Sequence, residues 1–292
     1  IKAHIGSGKK KILIDAHFDE VCLVVAGILD NGFIRIISPF GLDLRVLPAS
    51  EMQINGKEKV LGIVATKPPH LTNKEDYDKA LKFNEIFIDT GFTKDELKEK
   101  ISIGDSVTYN TEFTELKGGN FAGKALDNRA SVAAQCILMK AFSENKALNK
   151  EIVFVASKGE EAGLYGAKTA AYGTDYDTVV VLDVTFGESP EVSETKGKKL
   201  GGGPCIGIAP VLKSEFSERL IKIAKKENIP YQIEAMSGST GTNSFVYQVT
   251  ENGIPTALVS IPLKNMHSNN EVVNIADIEN TARLVEKFVL EL

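Results

Sequence analysis

From residue 118 onward the chain alternates apolar runs of strand length with amphipathic helical stretches, and that alternation leaves few folds open. EIVFVAS (151–157), TVVVLDV (178–184) and IPTALVSIP (254–262) are near-continuous hydrophobic runs, the pattern of strands buried on both faces. Helical periods lie between and after them. Asn128 to Lys146 sets Ala130, Ala133, Ala134, Ile137, Leu138 and Ala141 on one stripe. SEFSERLIKIAKKEN (214–228) does the same with Phe216, Leu220, Ile223 and Ala224, and ADIENTARLVEKFVLEL (276–292) with Ile278, Ala282, Val285, Val289 and Leu292. Leu164 to Tyr172 reads as a shorter helix ended by Gly173. The expectation is an α/β domain with a mostly parallel sheet and helices on both faces.

KKILID (10–15) has the same style, but the segment after it does not. A strand at about 20–29 runs through Asp30-Asn31-Gly32 into FIRII (33–37), a hairpin signal. VLGIVA (60–65), EIFIDTG (85–91) and DSVTY (105–109) follow, with KDELKEK (94–100) as one short helix. This block predicts a small β-barrel or sandwich. The chain therefore divides into a catalytic-type domain at 1–24 and 118–292 and an inserted β domain at 25–117.

Composition narrows the function. The 292 residues carry a net charge of −5, a poor match to nucleic acid or an anionic membrane. The longest apolar stretch, VCLVVAGIL (21–29), is far short of the roughly 18–20 residues of a membrane helix. IKAHIGSGKKK lacks the apolar core of a signal peptide. Cys22, Cys136 and Cys205 are widely spaced and odd in number, so they read as reduced packing residues of a cytoplasmic protein. The chain begins at Ile1 without an initiator Met, as a fragment of a longer product would.

In α/β sheets ligands gather beyond the carboxyl ends of the strands. His17, Asp19 and Glu20 follow the first strand, and Asp127 precedes a helix after the Gly-rich stretch 118–123. Glu160 and Glu161 follow the second strand, Asp183 ends the third, and His267 follows the last. Each has an ordinary alternative. Asp127 could cap a helix, a Glu-Glu pair is usually solvated, and a lone histidine is usually packing. Asp183 inside an apolar strand requires a partner, either a metal or a hydrogen-bonding group. Together, two imidazoles and several carboxylates suit a pair of ions such as Zn²⁺ or Co²⁺. Such a pair needs a bridging carboxylate and one unligated carboxylate to take a proton from water. The adjacent glutamates could divide those tasks. GKKLGGGP (197–204) lacks phosphate-loop spacing, SGSTGTNS (237–244) is no nucleophile elbow, and His4 and the KPPH turn with His70 read as structural.

The ordered set AHFDEV, KPPH, IDTG, GKALDNRA, EEAGLYGA, LDVT, GGGP and IP…MHS…EVV resembles the cytosolic metallo-aminopeptidases of family M42, over nearly the whole chain. That family includes glutamyl, deblocking and tetrahedral-assembly aminopeptidases. The resemblance implies a peptidase domain with an inserted β-barrel that carries assembly contacts. It also implies two divalent ions, peptide substrates with free N-termini, and a homo-oligomer between a dimer and a tetrahedral dodecamer. Residue by residue it implies His17 as a ligand of one ion, with Asp19 fixing the imidazole. Asp127 would bridge both ions, and Glu160 would be the general base. Glu161 would ligate one ion and Asp183 the other, with His267 completing the set.

The chain departs from the pattern at several places. Gly238–Ser244 stands where the family reads GGTDAGA, so a family Asp falls on Gly241. Asn269 replaces a Pro, Tyr165 an Arg, and a helix normally preceding the first strand is missing. Two other readings remain: a catalytically silent assembly subunit, or a dimetal carboxypeptidase or deacylase with Lys264 as its carboxylate-binding group.

Overall fold

The computed structural model describes residues 1–39, 41–72, 75, 79, 81–190 and 192–292. The chain opens with β1 (Lys2–Ile5) and β2 (Lys10–His17), which extends KKILID through Ala16 and His17. Next come β3 (Leu23–Ile28), β4 (Ile34–Ile37), β5 (Glu51–Asn55), β6 (Lys59–Ala65), β7 (Phe87–Asp89), α1 (Lys94–Lys100) and β8 (Ser106–Tyr109). These six strands close into a barrel in the order β3-β4-β7-β6-β5-β8. Their alternation sends Leu23, Val25, Ile34, Ile36, Met52, Ile54, Val64, Ile88 and Val107 into one core. The β3–β4 hairpin turns at Gly32, whose φ of +85° suits glycine. α1 starts on a Thr93/Glu96 capping box, as its sequence dictates.

The remaining elements are β9 (Thr114–Leu116), β10 (Asn120–Gly123), α2 (Leu126–Glu144), β11 (Lys150–Ser157), α3 (Tyr165–Ala171), β12 (Thr178–Phe186), β13 (Cys205–Ile208), α4 (Ser214–Lys226), β14 (Gln232–Ala235), α5 (Ser244–Tyr247), β15 (Thr256–Leu263), β16 (Glu271–Asn274) and α6 (Ile275–Glu291). A seven-stranded sheet runs β1-β11-β2-β12-β15-β13-β14, and β16-β10-β9 form a small second sheet. The centre of the large sheet is parallel, while β1 on β11 and β13 on β15 are antiparallel. Alternate residues of the central strands feed two cores. Ile12, Ile14, Phe154, Val180 and Leu182 pack with α2, α4 and α6. Leu13, Val153, Val155, Val179, Val181 and Leu258 pack with α3 and α5. Helices therefore cover both faces.

The chain forms two compact units. One comprises Ile1–Glu20, Thr114–Met266 and Glu271–Leu292; the other comprises Val21–Phe113 and His267–Asn270. The divisions fall a few residues from the expected 24/25 and 117/118, because β3 starts at Leu23 and β9 at Thr114. Two local expectations are corrected. On α2, Ala133 and Ile137 are exposed, whereas Ser131 and Gln135 are buried. The cause is hydrogen bonding: Gln135 Nε2 donates to the Ile14 and Val155 carbonyls, both at 3.0 Å, and Ser131 Oγ to the Asp183 carbonyl at 3.0 Å. Cys136, on the same helix, is exposed rather than a packing residue. Among the described residues no helix is long and apolar enough to cross a membrane.

Candidate metal centre

The first unit gathers its acids around one imidazole. His17 ends β2 in register with Ser157 of β11, and the chain beyond Ser157 turns at once into Glu160 and Glu161. His17 Nε2 lies 3.1 Å from Asp127 Oδ1, 3.8 Å from Asp183 Oδ1 and 4.0 Å from Glu160 Oε2. Within this unit, His17, Asp127 and Asp183 offer ligand atoms within 4.8 Å of one another, and so do His17, Glu160 and Glu161. Asp127 is no helix cap. Ala125 holds the cap position of α2, and Asp127 is extended, with φ −80° and ψ 100°. Its backbone N–H donates to Glu271 Oε2 at 3.0 Å, so β16 fixes it from behind.

Asp19 organises the opposite side. Its Oδ1 lies 3.6 Å from His17 Nδ1, and its two oxygens accept from the backbone N–H groups of Glu160 and Glu161, each at 3.3 Å. One carboxylate thus orients both the imidazole and the glutamate turn. Glu20, by contrast, pairs with Lys124 at 2.8 Å and Arg129 at 3.1 Å.

The electrostatics favour an added cation. Burial, joined by the nearby acids Glu161, Asp127 and Asp19, pushes Glu160 up to about 7 against the pull of His17. Burial likewise lifts Asp183 well above the usual carboxylate range. Burial opposes charge on His17, yet its hydrogen bonds to Asp127 and Asp19 hold its pKa well above the usual value. Asp19 is lowered, since the His17 ring outweighs burial. Four buried or half-buried carboxylates around one imidazole cannot all ionise unaided, and a divalent ion would resolve that conflict. An imidazole with carboxylate oxygens is a donor set that fits Zn²⁺ or its neighbours.

His267 belongs to the second unit, where its Nδ1 lies 3.2 Å from the Gly41 carbonyl. Lys264 forms a backbone bridge with Val272. Gly241 is exposed with φ +69°, while the polar residues after it, Thr242, Asn243 and Ser244, are buried. Asn243 Nδ2 donates to Asp15 Oδ2 at 2.8 Å and to Ser157 Oγ at 2.9 Å, which fastens the loop to β2 and β11 behind His17. Asp15, Asn243 and Glu271 support the site without being among the residues expected there. Asp15 carried the signal that exposed Asp183, a charge within an apolar strand.

Asp15 is fully buried, and burial raises its pKa to about 6 against the hydrogen bonds of Ser157 and Asn243. A carboxyl raised above its unfolded value of about 3.9 adds stability below about pH 4 and loses it as pH rises through 6. Asp15→Asn cannot ionise. Its stability relative to the parent is therefore expected to improve by roughly 1–3 kcal/mol between pH 4 and pH 8. Denaturant titrations of both proteins check this, and a difference that stays flat with pH would contradict it.

An acid-ringed imidazole at the carboxyl edge of a parallel sheet places this chain among α/β proteins with a metal-binding donor set. A family model described as M42 glutamyl aminopeptidase matches residues 1–284. The chain belongs to the M42 family of aminopeptidases, which are hydrolases of peptide bonds. It is 31% identical to the lysyl aminopeptidase of Pyrococcus furiosus, over 99% of this chain and 84% of that one. A TET aminopeptidase from a marine-sediment Thaumarchaeota archaeon superposes with a TM-score of 0.92 at 27% identity, over 100% of this chain and 84% of that one. The TET1 peptidase of Pyrococcus horikoshii, described as assembling into a tetrahedron or a large octahedral shell, gives 0.87 at 28% identity, over 100% and 87%.

Proposed function

We propose that this protein is a dinuclear metal-dependent aminopeptidase that removes residues from the N-termini of peptides. The observation that carries this reading is the imidazole of His17 held within 4.0 Å of Asp127, Asp183 and Glu160. Membership of the M42 family supports the peptidase part. In this reading His17 and Asp183 would hold one ion, Glu161 and His267 would hold the other, and Asp127 would serve both. When bound, the two ions polarise the scissile carbonyl and acidify the attacking water.

Glu160 takes the proton from that water and returns it to the departing amine. Asp19 keeps the His17 ring and the glutamate turn in place. The free α-amino group of the substrate binds beside the carboxylates, which restricts cleavage to N-termini. The barrel segment 25–117 would carry self-assembly, as the family resemblance implies, and the assembly described for the horikoshii peptidase supports a homo-oligomer. A cytoplasmic setting agrees with three cysteines outside any disulfide, one of them exposed.

Removal of divalent ions with a strong chelator is expected to abolish hydrolysis of aminoacyl p-nitroanilides, and Zn²⁺ or Co²⁺ to restore it. Hydrolysis that survives chelation, or that no metal restores, would overturn the reading. A silent assembly subunit would cleave nothing with any ion.

A further inference from the structure

The sheet that carries the metal-site acids has one more acid on the same face. Asp183 is paired with Ser260, Ser260 with Cys205, and Cys205 with Gln232. Paired residues share a face, and residues two apart return to it. Asp183 and Thr185 of β12, Ser260 of β15 and Glu234 of β14 therefore all project from one side. Thr185 Oγ1 donates to Glu234 Oε1, closing the row. The other oxygen of Glu234, Oε2, is buried without a hydrogen-bond partner.

Burial raises the Glu234 pKa, and the Thr185 and Ser260 hydroxyls and the more distant Lys198 pull it down. Lys198 Nζ itself donates to the Thr195 carbonyl at 3.2 Å. Among the described residues Glu234 forms no salt bridge. A buried carboxylate met only by neutral hydroxyls is costly to ionise unless a cation reaches it. Directly after β14 the chain crosses this face to Asn243, which is fastened to Asp15 beside His17. The crossing residues Ser237 to Thr242 are all uncharged, so Glu234 is the acid that a visiting cation would meet there.

We propose that Glu234 receives the side chain of the substrate's N-terminal residue and makes the enzyme prefer lysine or arginine, an inference that rests on the aminopeptidase reading above. Thr185 lies two residues beyond Asp183 along β12, about 6–7 Å, a span that the four-carbon stem of lysine covers. The ammonium or guanidinium donates to Oε2 while Thr185 holds Oε1. The bond hydrolysed is unchanged; only the anchoring of the leaving residue differs.

The test uses metal-loaded protein and the p-nitroanilides of Lys, Arg, Leu and Glu. The parent is expected to favour Lys and Arg over Leu by roughly tenfold or more in kcat/KM. Glu234→Gln is expected to lower kcat/KM for Lys and Arg by roughly 10–100-fold, mainly through KM, with Leu changed less than about threefold. Thr185→Val keeps the carboxylate but frees it, and should give a smaller loss confined to the cationic substrates; it carries the test if Glu234→Gln does not fold. A parent that prefers Leu or Glu would overturn the proposal. So would equal losses on every substrate, which would mean that Glu234 reads the α-amino group or only supports the fold.

Calorimetric binding of L-lysinamide and L-norleucinamide separates this proposal from the wider reading. Tighter binding of lysinamide, lost in Glu234→Gln, supports the cation site even without turnover, and the absence of turnover would then count against the peptidase reading alone. Equal binding of the two amides by the parent refutes the site.

Discussion

Replacement of Glu160 by Gln is expected to lower kcat by roughly 10³-fold or more with both metal sites still filled. The substitution keeps the side chain's size and its place on the turn held by Asp19, but removes its ability to accept a proton. The environment of Glu160 suits that task. It lies 4.0 Å from His17, half-buried among neighbouring acids, within reach of a water held beside them. Steady-state kinetics with metal analysis of the same sample separates the possibilities. An unchanged kcat would remove Glu160 from the base role, and a fall in bound metal would recast it as a ligand.

Asp127→Ala is expected to lose both ions together and to have no measurable turnover. Asp127 is the acid nearest His17, at 3.1 Å. Its backbone is fixed by Glu271, and it leads directly into the regular part of α2. A carboxylate set between two ions contributes to both, so its removal weakens both sites at once. Loss of a ligand to one ion alone, as in Asp183→Ala, should leave the other ion partly bound. Metal content under equilibrium dialysis reads the difference. A protein that retains two ions without Asp127 would refute the bridge.

Much of this architecture is legible from local pattern. The strands of EIVFVAS and TVVVLDV, the Asn31-Gly32 hairpin and the Thr93 capping box each follow from neighbouring residues. Asp19, Glu160 and Glu161 stand out because each follows a recognisable strand, and Asp183 because it is a charge within one. What local pattern could not supply depends on distant contacts. The last two strands of the sheet order, β13 and the edge strand β14, have four residues each and are defined by pairing rather than by composition. Ser131 and Gln135 are buried because strand carbonyls require donors, which rotates the buried stripe of α2 away from the one its apolar residues suggest. Asn243 and Glu271 act from positions more than one hundred residues from Asp15 and Asp127, so no window of sequence joins them. The loop of Gly241 illustrates the same limit, since the burial of Asn243 there depends on contacts with Asp15 and Ser157.

The central claim is that two ions share Asp127 between His17 on one side and Glu161 on the other. Anomalous diffraction from crystals of the protein loaded with Zn²⁺ tests it most directly. The expected result is two peaks per chain, roughly 3.5–4 Å apart, with an oxygen of Asp127 in contact with each. A single peak, or two peaks without Asp127 between them, would contradict it.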